Sequence, residues 1–436
     1  MLRGGIPSAV CYNDGAMSTG TRCRFLPVLL ISGCLLICGR ASAQLVLGQY
    51  EDEAPLGTWN ILGAPSAPSA GLGGAQFAHA WDGTVSLANP ALLVALPRFS
   101  VSLSASYASS SMFKYSLVNT GVVSSQGNLA SGVLGLDHAS FACRAGKWAA
   151  AVAVAVTESY GRPAIVVGSL GGSGYQLTLD QTGCLRVFHA GIARRLPAGL
   201  SIGAGVNLAT GTLVRKVVDQ TADLLRTVTI TDDKRESWRG LFFNAGLAWE
   251  ATERLTGALV LRAPYVKKAV ARRVLRYEVP SKGTDILIEA EATNAYRQPW
   301  VVGTGWAYRV AKSWSVAADL TWFGWSRYEV TYFDEPLARS FRNVVKAGAG
   351  VEYLAPAEMY RKAARIPFRV GISYDPQPMV EPRSSYLALT FGTGLRWQSL
   401  AIDVSGSIGR ESGSGDSLKS GKVVLSARYV FDGGRR

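Results

Sequence analysis

The chain has 436 residues and a formal charge of +14, with 48% apolar and 17% charged side chains. That length suits two or three soluble domains or one large barrel; no Pro/Ser tract, charge block or low-complexity run divides residues 98–431, so one domain is the simpler reading. Only three His are present, at 79, 138 and 189, without HExxH, and "GLGGAQ" does not follow a strand as a dinucleotide fingerprint does, so no enzyme constellation can be assembled and no cofactor is expected.

Residues 1–43 read as an export signal. Arg22 and Arg24 are basic, residues 25–38 are apolar, and Ala41-Ser42-Ala43 is an A-x-A cleavage site that would start the mature chain at Gln44. Met17 is an alternative initiator, and Ile31-Ser32-Gly33-Cys34 offers a rival lipoprotein reading. Four of the six Cys fall in this leader, leaving Cys143 and Cys184 with no disulfide framework or zinc pattern. The mature charge is then about +11 by the same count, but the basic residues are scattered and the chain is exported. Lipopolysaccharide phosphates or an anionic cargo suit that balance better than nucleic acid.

Residues 44–97 form an N-terminal extension and a compact, Gly- and Ala-rich segment, "GLGGAQFAHAWDGTVSLANPALL" at 71–93, that follows neither the helix nor the strand period. From residue 98 period-2 alternation dominates: Phe99, Val101, Leu103, Ala105 and Tyr107 share one face, Ser100, Ser102, Ser104 and Ser106 the other. The pattern predicts fourteen strands near 98–109, 133–144, 147–157, 183–194, 199–218, 237–250, 254–278, 286–309, 313–330, 341–354, 366–375, 386–396, 399–409 and 420–431. Connections alternate short and long, with one longer exception at 355–365, as in outer-membrane barrels. Trp148, Trp249, Tyr308, Trp314, Tyr353, Trp397 and Tyr429 fall at the short-turn ends on the apolar face, and Tyr107 and Tyr374 at the long-loop ends, which fits two membrane interfaces. The rival is a secreted propeller or sandwich. The expected fold is an all-β, 14-stranded antiparallel transmembrane barrel over 98–431, with a tail at 432–436.

The 71–93 stretch resembles the plug, or hatch, of the FadL-type outer-membrane transporters of hydrophobic compounds, which carry a Gly-rich run, an acidic residue and Asn-Pro-Ala. The matching residues are Gly71, Gly73, Gly74, Ala75, Asp82, Asn89, Pro90 and Ala91. "NVVKAGAGVEYL" and "IPFRVGISYDPQP" resemble the family's closing strands through Gly350, Glu352, Tyr353, Arg369, Gly371, Tyr374, Asp375 and Pro376. The extension at 44–70 has no counterpart, and five residues follow Phe431 where the family usually ends on the aromatic. The resemblance implies a plug that fills the bore: small residues pack close to the wall, Pro90 stiffens the exit toward the first strand, and Asp82 accepts hydrogen bonds from backbone or a lumenal Arg.

If the apolar face meets lipid, the lumen receives Arg262, Arg309, Asp319, Lys346, Glu352, Arg369, Asp375, Arg396, Asp403, Lys422 and Arg428. Asp319, Lys346, Glu352, Arg369 and Asp375 can form a cross-strand ladder. Either these charges pair with one another and the plug, or a surplus cation, Lys346 or Arg369, receives the head group of an amphipathic acid. The basic run at 267–277 stands above the membrane, as a solvated strand face or against lipid A phosphates. The expected function is passive uptake of small hydrophobic or amphipathic molecules such as fatty acids. The alternatives are a FadL-like barrel that shuttles an exported protein partner, as in type IX secretion, with 44–70 making the contact, or a structural surface barrel.

Overall fold

The computed structural model describes residues 66–111, 122–125, 130–159, 164–170, 173–222, 226–332, 335–337, 340–380, 383–413 and 419–431. The signal at 1–43, the extension up to residue 65 and the tail 432–436 lie outside the described residues.

Fourteen antiparallel strands form the wall. They are β1 (Phe99–Ser111), β2 (Ala130–Ala145), β3 (Trp148–Ser159), β4 (Ser173–Arg195), β5 (Leu200–Ala222), β6 (Thr227–Glu250), β7 (Leu255–Arg262 and Tyr265–Val279), β8 (Thr284–Gln298 and Val301–Ala311), β9 (Trp314–Phe323), β10 (Val344–Met359), β11 (Lys362–Pro376), β12 (Ser385–Trp397), β13 (Leu400–Ser412) and β14 (Lys419–Val430). Each pairs with its sequence neighbour, and β14 pairs with β1 from Ser100↔Val430 to Ser111↔Lys419, so the sheet has no free edge. Lipid offers no hydrogen bonds to an unpaired strand, and closure answers that demand.

The alternation places the faces as the pattern predicts. Along β6, Leu241 and Phe243 are 54% and 56% exposed, whereas Phe242 between them is 8% exposed and inward. Trp148, Trp249, Tyr308, Trp314 and Tyr429 stand outward near the short turns. β7 and β8 are interrupted at facing positions, Ala263-Pro264 and Pro299-Trp300. Neither Pro has an N–H to give to the ladder.

Several boundaries differ from the pattern. β6 begins at Thr227 rather than near 237, because its upper part continues the ladder with β5. The ladder of β10 and β11 runs on to Met359↔Lys362, so the expected loop at 355–365 is a two-residue turn at Tyr360-Arg361. β4 begins at Ser173 rather than near 183, because its upper part pairs with β5 and with a short loop strand, Ala164–Leu170. β9 ends at Phe323; after Gly324 a 3-10 turn, Trp325–Arg327, swings the chain into the bore.

The N-terminal segment lies inside the barrel as two short helices, α1 (Ala67–Gly71) and α2 (Val85–Ala88), followed by a 3-10 helix, Pro90–Ala95. These runs of four to six residues are too short to show a period. The 3-10 helix packs its Ala91, Leu92, Leu93 and Val94 on small wall residues, among them Ala142, Ala149, Ala193 and Ala248. Inward wall glycines complete the seat. A Cβ on Gly203 would lie 2.5 Å from the Ala91 amide nitrogen, and one on Gly246 would collide with the Asn89 side chain. Gly73 turns at φ +70° against the backbone of Ile372, a site closed to any side chain.

Gly246→Val is expected to unseat the Asn89-Pro90 corner while the wall still folds. Planar-bilayer conductance should rise above wild type with the heat-modifiable gel shift of a folded barrel retained. Gly257→Val, where an added Cβ meets nothing within 4 Å, serves as the silent control.

Candidate functional site: the lumen above the plug

The plug backbone has no sheet to join, so wall side chains supply its partners. Ala67 N–H donates to Ser426 Oγ (2.7 Å) and Gly73 N–H to Thr390 Oγ1 (3.0 Å), whose hydroxyl donates to Gly71 O (3.1 Å). Asp319 Oδ2 accepts from both Gln76 N–H (2.6 Å) and Phe77 N–H (2.9 Å), and Ser102 Oγ accepts from Gly83 N–H (3.1 Å). Asn244 Nδ2 donates to Leu87 O (3.0 Å). Ser102, Asn244, Thr390 and Ser426 are buried in the wall as partners for the plug, since a buried amide left without a partner is costly.

The residues singled out in the plug hold its own turns together. Asp82 Oδ1 accepts from Thr84 N–H (2.8 Å) and Thr84 Oγ1 (2.6 Å). Asn89 caps the 3-10 helix by accepting from Ala91 N–H (3.1 Å), and its Nδ2 donates to Phe77 O (2.7 Å). Pro90 opens that helix, where a missing N–H costs nothing. Gly71 sits against Ser405 and Arg369, while Gly74 at φ +91° faces open space.

The lumenal charges divide into a clamp and a floor. Arg369, 1% exposed, donates from Nε to Glu352 (2.7 Å) and from Nη1 to Asp403 (2.8 Å), and Arg396 donates to the same Glu352 oxygen (3.0 Å). Both guanidiniums lie over the plug's Trp81, at 5.1 and 5.0 Å from its ring; Arg428 donates to the Trp81 carbonyl, and His79 stacks on the indole at 3.6 Å. Arg369 therefore grips the plug. Lys346 lies 2.5 Å from Asp375 and 5.4 Å from the centre of the Phe323 ring. Of the expected ladder, Glu352–Arg369 and Lys346–Asp375 form, whereas Asp319 turns to the plug amides.

Above the plug the inward face becomes aromatic. Trp238, Phe242, Tyr265, Tyr296, Phe323, Trp325 and Tyr328 form one buried cluster with Leu185, Val187, Leu213 and Val301, and Leu87 of the plug is its base. Glu236 is held among them by Trp238 Nε1 (3.1 Å), Tyr296 OH (3.0 Å) and the amide of Asn294. Lys267 lies 4.7 Å over the Trp238 ring and 3.2 Å from Glu158. Sequence reasoning counted lumenal charges and missed this cluster; the available signal was aromatic residues in the polar phase of a strand, as at Trp238 and Phe242. Higher still, the arginines of the basic run meet carboxylates of neighbouring strands: Arg272–Glu289 at 3.1 Å, Arg273–Asp232 at 2.8 Å and Arg276–Asp285 at 2.7 Å. At the hairpin tip, the hydrogen bond from Arg276 lowers the Asp285 carboxyl below its ordinary value.

A closed barrel with an apolar exterior, a bore occupied by its own N-terminal segment and a buried aromatic cluster above it is the architecture of an outer-membrane protein. The family model described as outer membrane protein transport protein (OMPP1/FadL/TodX) matches residues 64–404. The chain belongs to that family, whose FadL/TodX-type members are outer-membrane channels for hydrophobic compounds. Among solved structures it is similar to a Pseudomonas aeruginosa FadL homologue (15% identity, TM-score 0.61, covering 85% of this chain and 99% of that one). It is also similar to the Ralstonia pickettii toluene transporter TbuX (17%, 0.58, 86% and 100%) and to the CymD monoaromatic hydrocarbon channel (15%, 0.60, 86% and 99%). No curated protein matches the chain in sequence.

Arg369→Met leaves Asp403 buried without its cation and loosens Glu352. The expected loss is about 3–5 kcal/mol of unfolding free energy, the cost of breaking a buried pair from one side. Equilibrium urea unfolding in lipid vesicles measures it; a loss under about 1 kcal/mol would make the cluster energetically idle.

Proposed function

We propose that the protein admits small neutral hydrophobic molecules passively from the long-loop side, holds them in the aromatic chamber and releases them past the plug formed by residues 66–98. The buried cluster from Trp238 to Tyr328 carries this reading. Flat apolar rings gain most from such walls, through buried area and through edge or offset contacts. Five of the inward cations are poor hosts for a fatty-acid head group, since Lys267, Lys346, Arg369, Arg396 and Lys422 each have a carboxylate within 4.0 Å. A carboxylate head group would have to displace one of these partners. The TbuX and CymD channels, named for toluene and monoaromatic hydrocarbons, support a ligand of this size and polarity.

The test is uptake of labelled toluene by Gram-negative cells that lack their own hydrophobic-compound channels, with and without the full chain. Uptake should depend on the protein, saturate, and persist when a protonophore abolishes the proton gradient. Equal uptake in both strains would remove the reading. In the same assay Trp325→Ala and Phe242→Ala should each weaken apparent toluene affinity about 2- to 10-fold, the worth of one aromatic contact.

A further inference from the structure

Between the plug's first turn and the wall of β9–β11 lies a cavity of about 90 Å³. It has room for a few waters or for the polar end of a small molecule. Its lining is polar for a channel of apolar cargo: Gln76 from the plug, Asp319 and Thr321 from β9, Lys346 from β10, and Ser373 and Asp375 from β11. Phe323 belongs both to this cavity and to the aromatic cluster above it, so the cavity borders the cluster. Phe77 of the plug lines it as well.

The charges decide what such a pocket takes. Lys346 is matched by Asp375 at 2.5 Å. Asp319 gives Oδ2 to two plug amides and has no ion pair among the described residues. One ammonium therefore faces two carboxyl groups, and no positive charge is in surplus. An anionic head group entering here sheds its water without gaining a cation. A neutral hydroxyl fares better. It donates to the Asp375 carboxylate, whose lone pairs exceed what Lys346 and Gln377 use, and the Thr321 and Ser373 hydroxyls stand on the same floor. The ring that carries the hydroxyl then lies against Phe323 and Phe77.

We propose that this cavity recognises the hydroxyl end of an uncharged phenol and discriminates against aromatic carboxylates. The proposal rests on the channel reading above and names the polar determinant within it.

The test is calorimetric titration of the full chain in amphipol at neutral pH with toluene, p-cresol and p-toluate, three rings of one size. One net hydrogen bond of about 1 kcal/mol predicts p-cresol about 5-fold tighter than toluene, with p-toluate the weakest. In the double variant Lys346→Met with Asp375→Leu, which replaces the pair by apolar groups of similar volume, the preference for p-cresol over toluene should disappear. Wild-type p-toluate binding as tight as p-cresol, or a double variant that keeps the p-cresol preference, would overturn the proposal. If the double variant fails to fold, the wild-type ordering decides. Toluene uptake without any p-cresol preference removes this site alone; p-cresol binding without uptake of toluene removes the channel reading and leaves the site.

Discussion

Every backbone amide and carbonyl in this molecule must find a partner where bulk water is scarce, and the architecture follows from that constraint. The wall meets it by pairing each strand with two neighbours, ending with β14 on β1. The segment in the bore cannot meet it that way, because its helices are only four to six residues long. Its amides go instead to Ser426, Thr390, Asp319 and Ser102, all of which point inward from strands. The polar phase of the alternation is therefore not generic solvent-facing polarity. It is a set of partners placed for one particular guest.

The same inward face changes its task with height. Along β6, Gly246 and Asn244 receive the plug, the first by leaving space and the second by donating to Leu87 O. Two residues up, Phe242 enters the aromatic cluster, then Trp238, and then Glu236 with its network. Two residues along a strand rise about 7 Å, so each change of chemistry occupies one layer of the bore. Substitutions only four residues apart on one strand thus affect the seat of the plug or the chamber, according to depth.

Much of this was legible in the sequence for a simple reason. Period 2 survives wherever one face meets lipid, and all fourteen strands were read from it. Where it failed, another constraint had taken over. The ladder from Leu354↔Pro367 to Met359↔Lys362 runs beyond the lipid zone, where polar residues may occupy both faces without harm. Leu241, Phe242 and Phe243 in succession hide the phase, although only the middle one is inward. Trp325 and Tyr328 reach the chamber through a 3-10 turn that no alternation announces. The pairs Lys346–Asp375 and Glu352–Arg369 could be read because register alone brings them opposite one another on β10 and β11. The partner of Asp319 could not, because it depends on how a separate segment docks.

The two ends of that docked segment are held by different physics. The 3-10 helix is seated by apolar contact with small wall residues, an attraction that is non-directional and spread over many atoms. The first turn, Gly71–Phe77, adds directional hydrogen bonds to Thr390 and Asp319, each worth about 1 kcal/mol net, to the buried packing of Leu72, Ala75 and Phe77 on wall residues such as Ala317 and Val260. Trp81 between them is gripped by two guanidiniums and stays with the wall. The plug is thus seated mainly by apolar contact toward β2–β6, and by apolar contact joined to hydrogen bonds and guanidiniums toward β9–β12. The cavity beside Lys346 lies on that second side, where directional partners for a polar ligand end already stand.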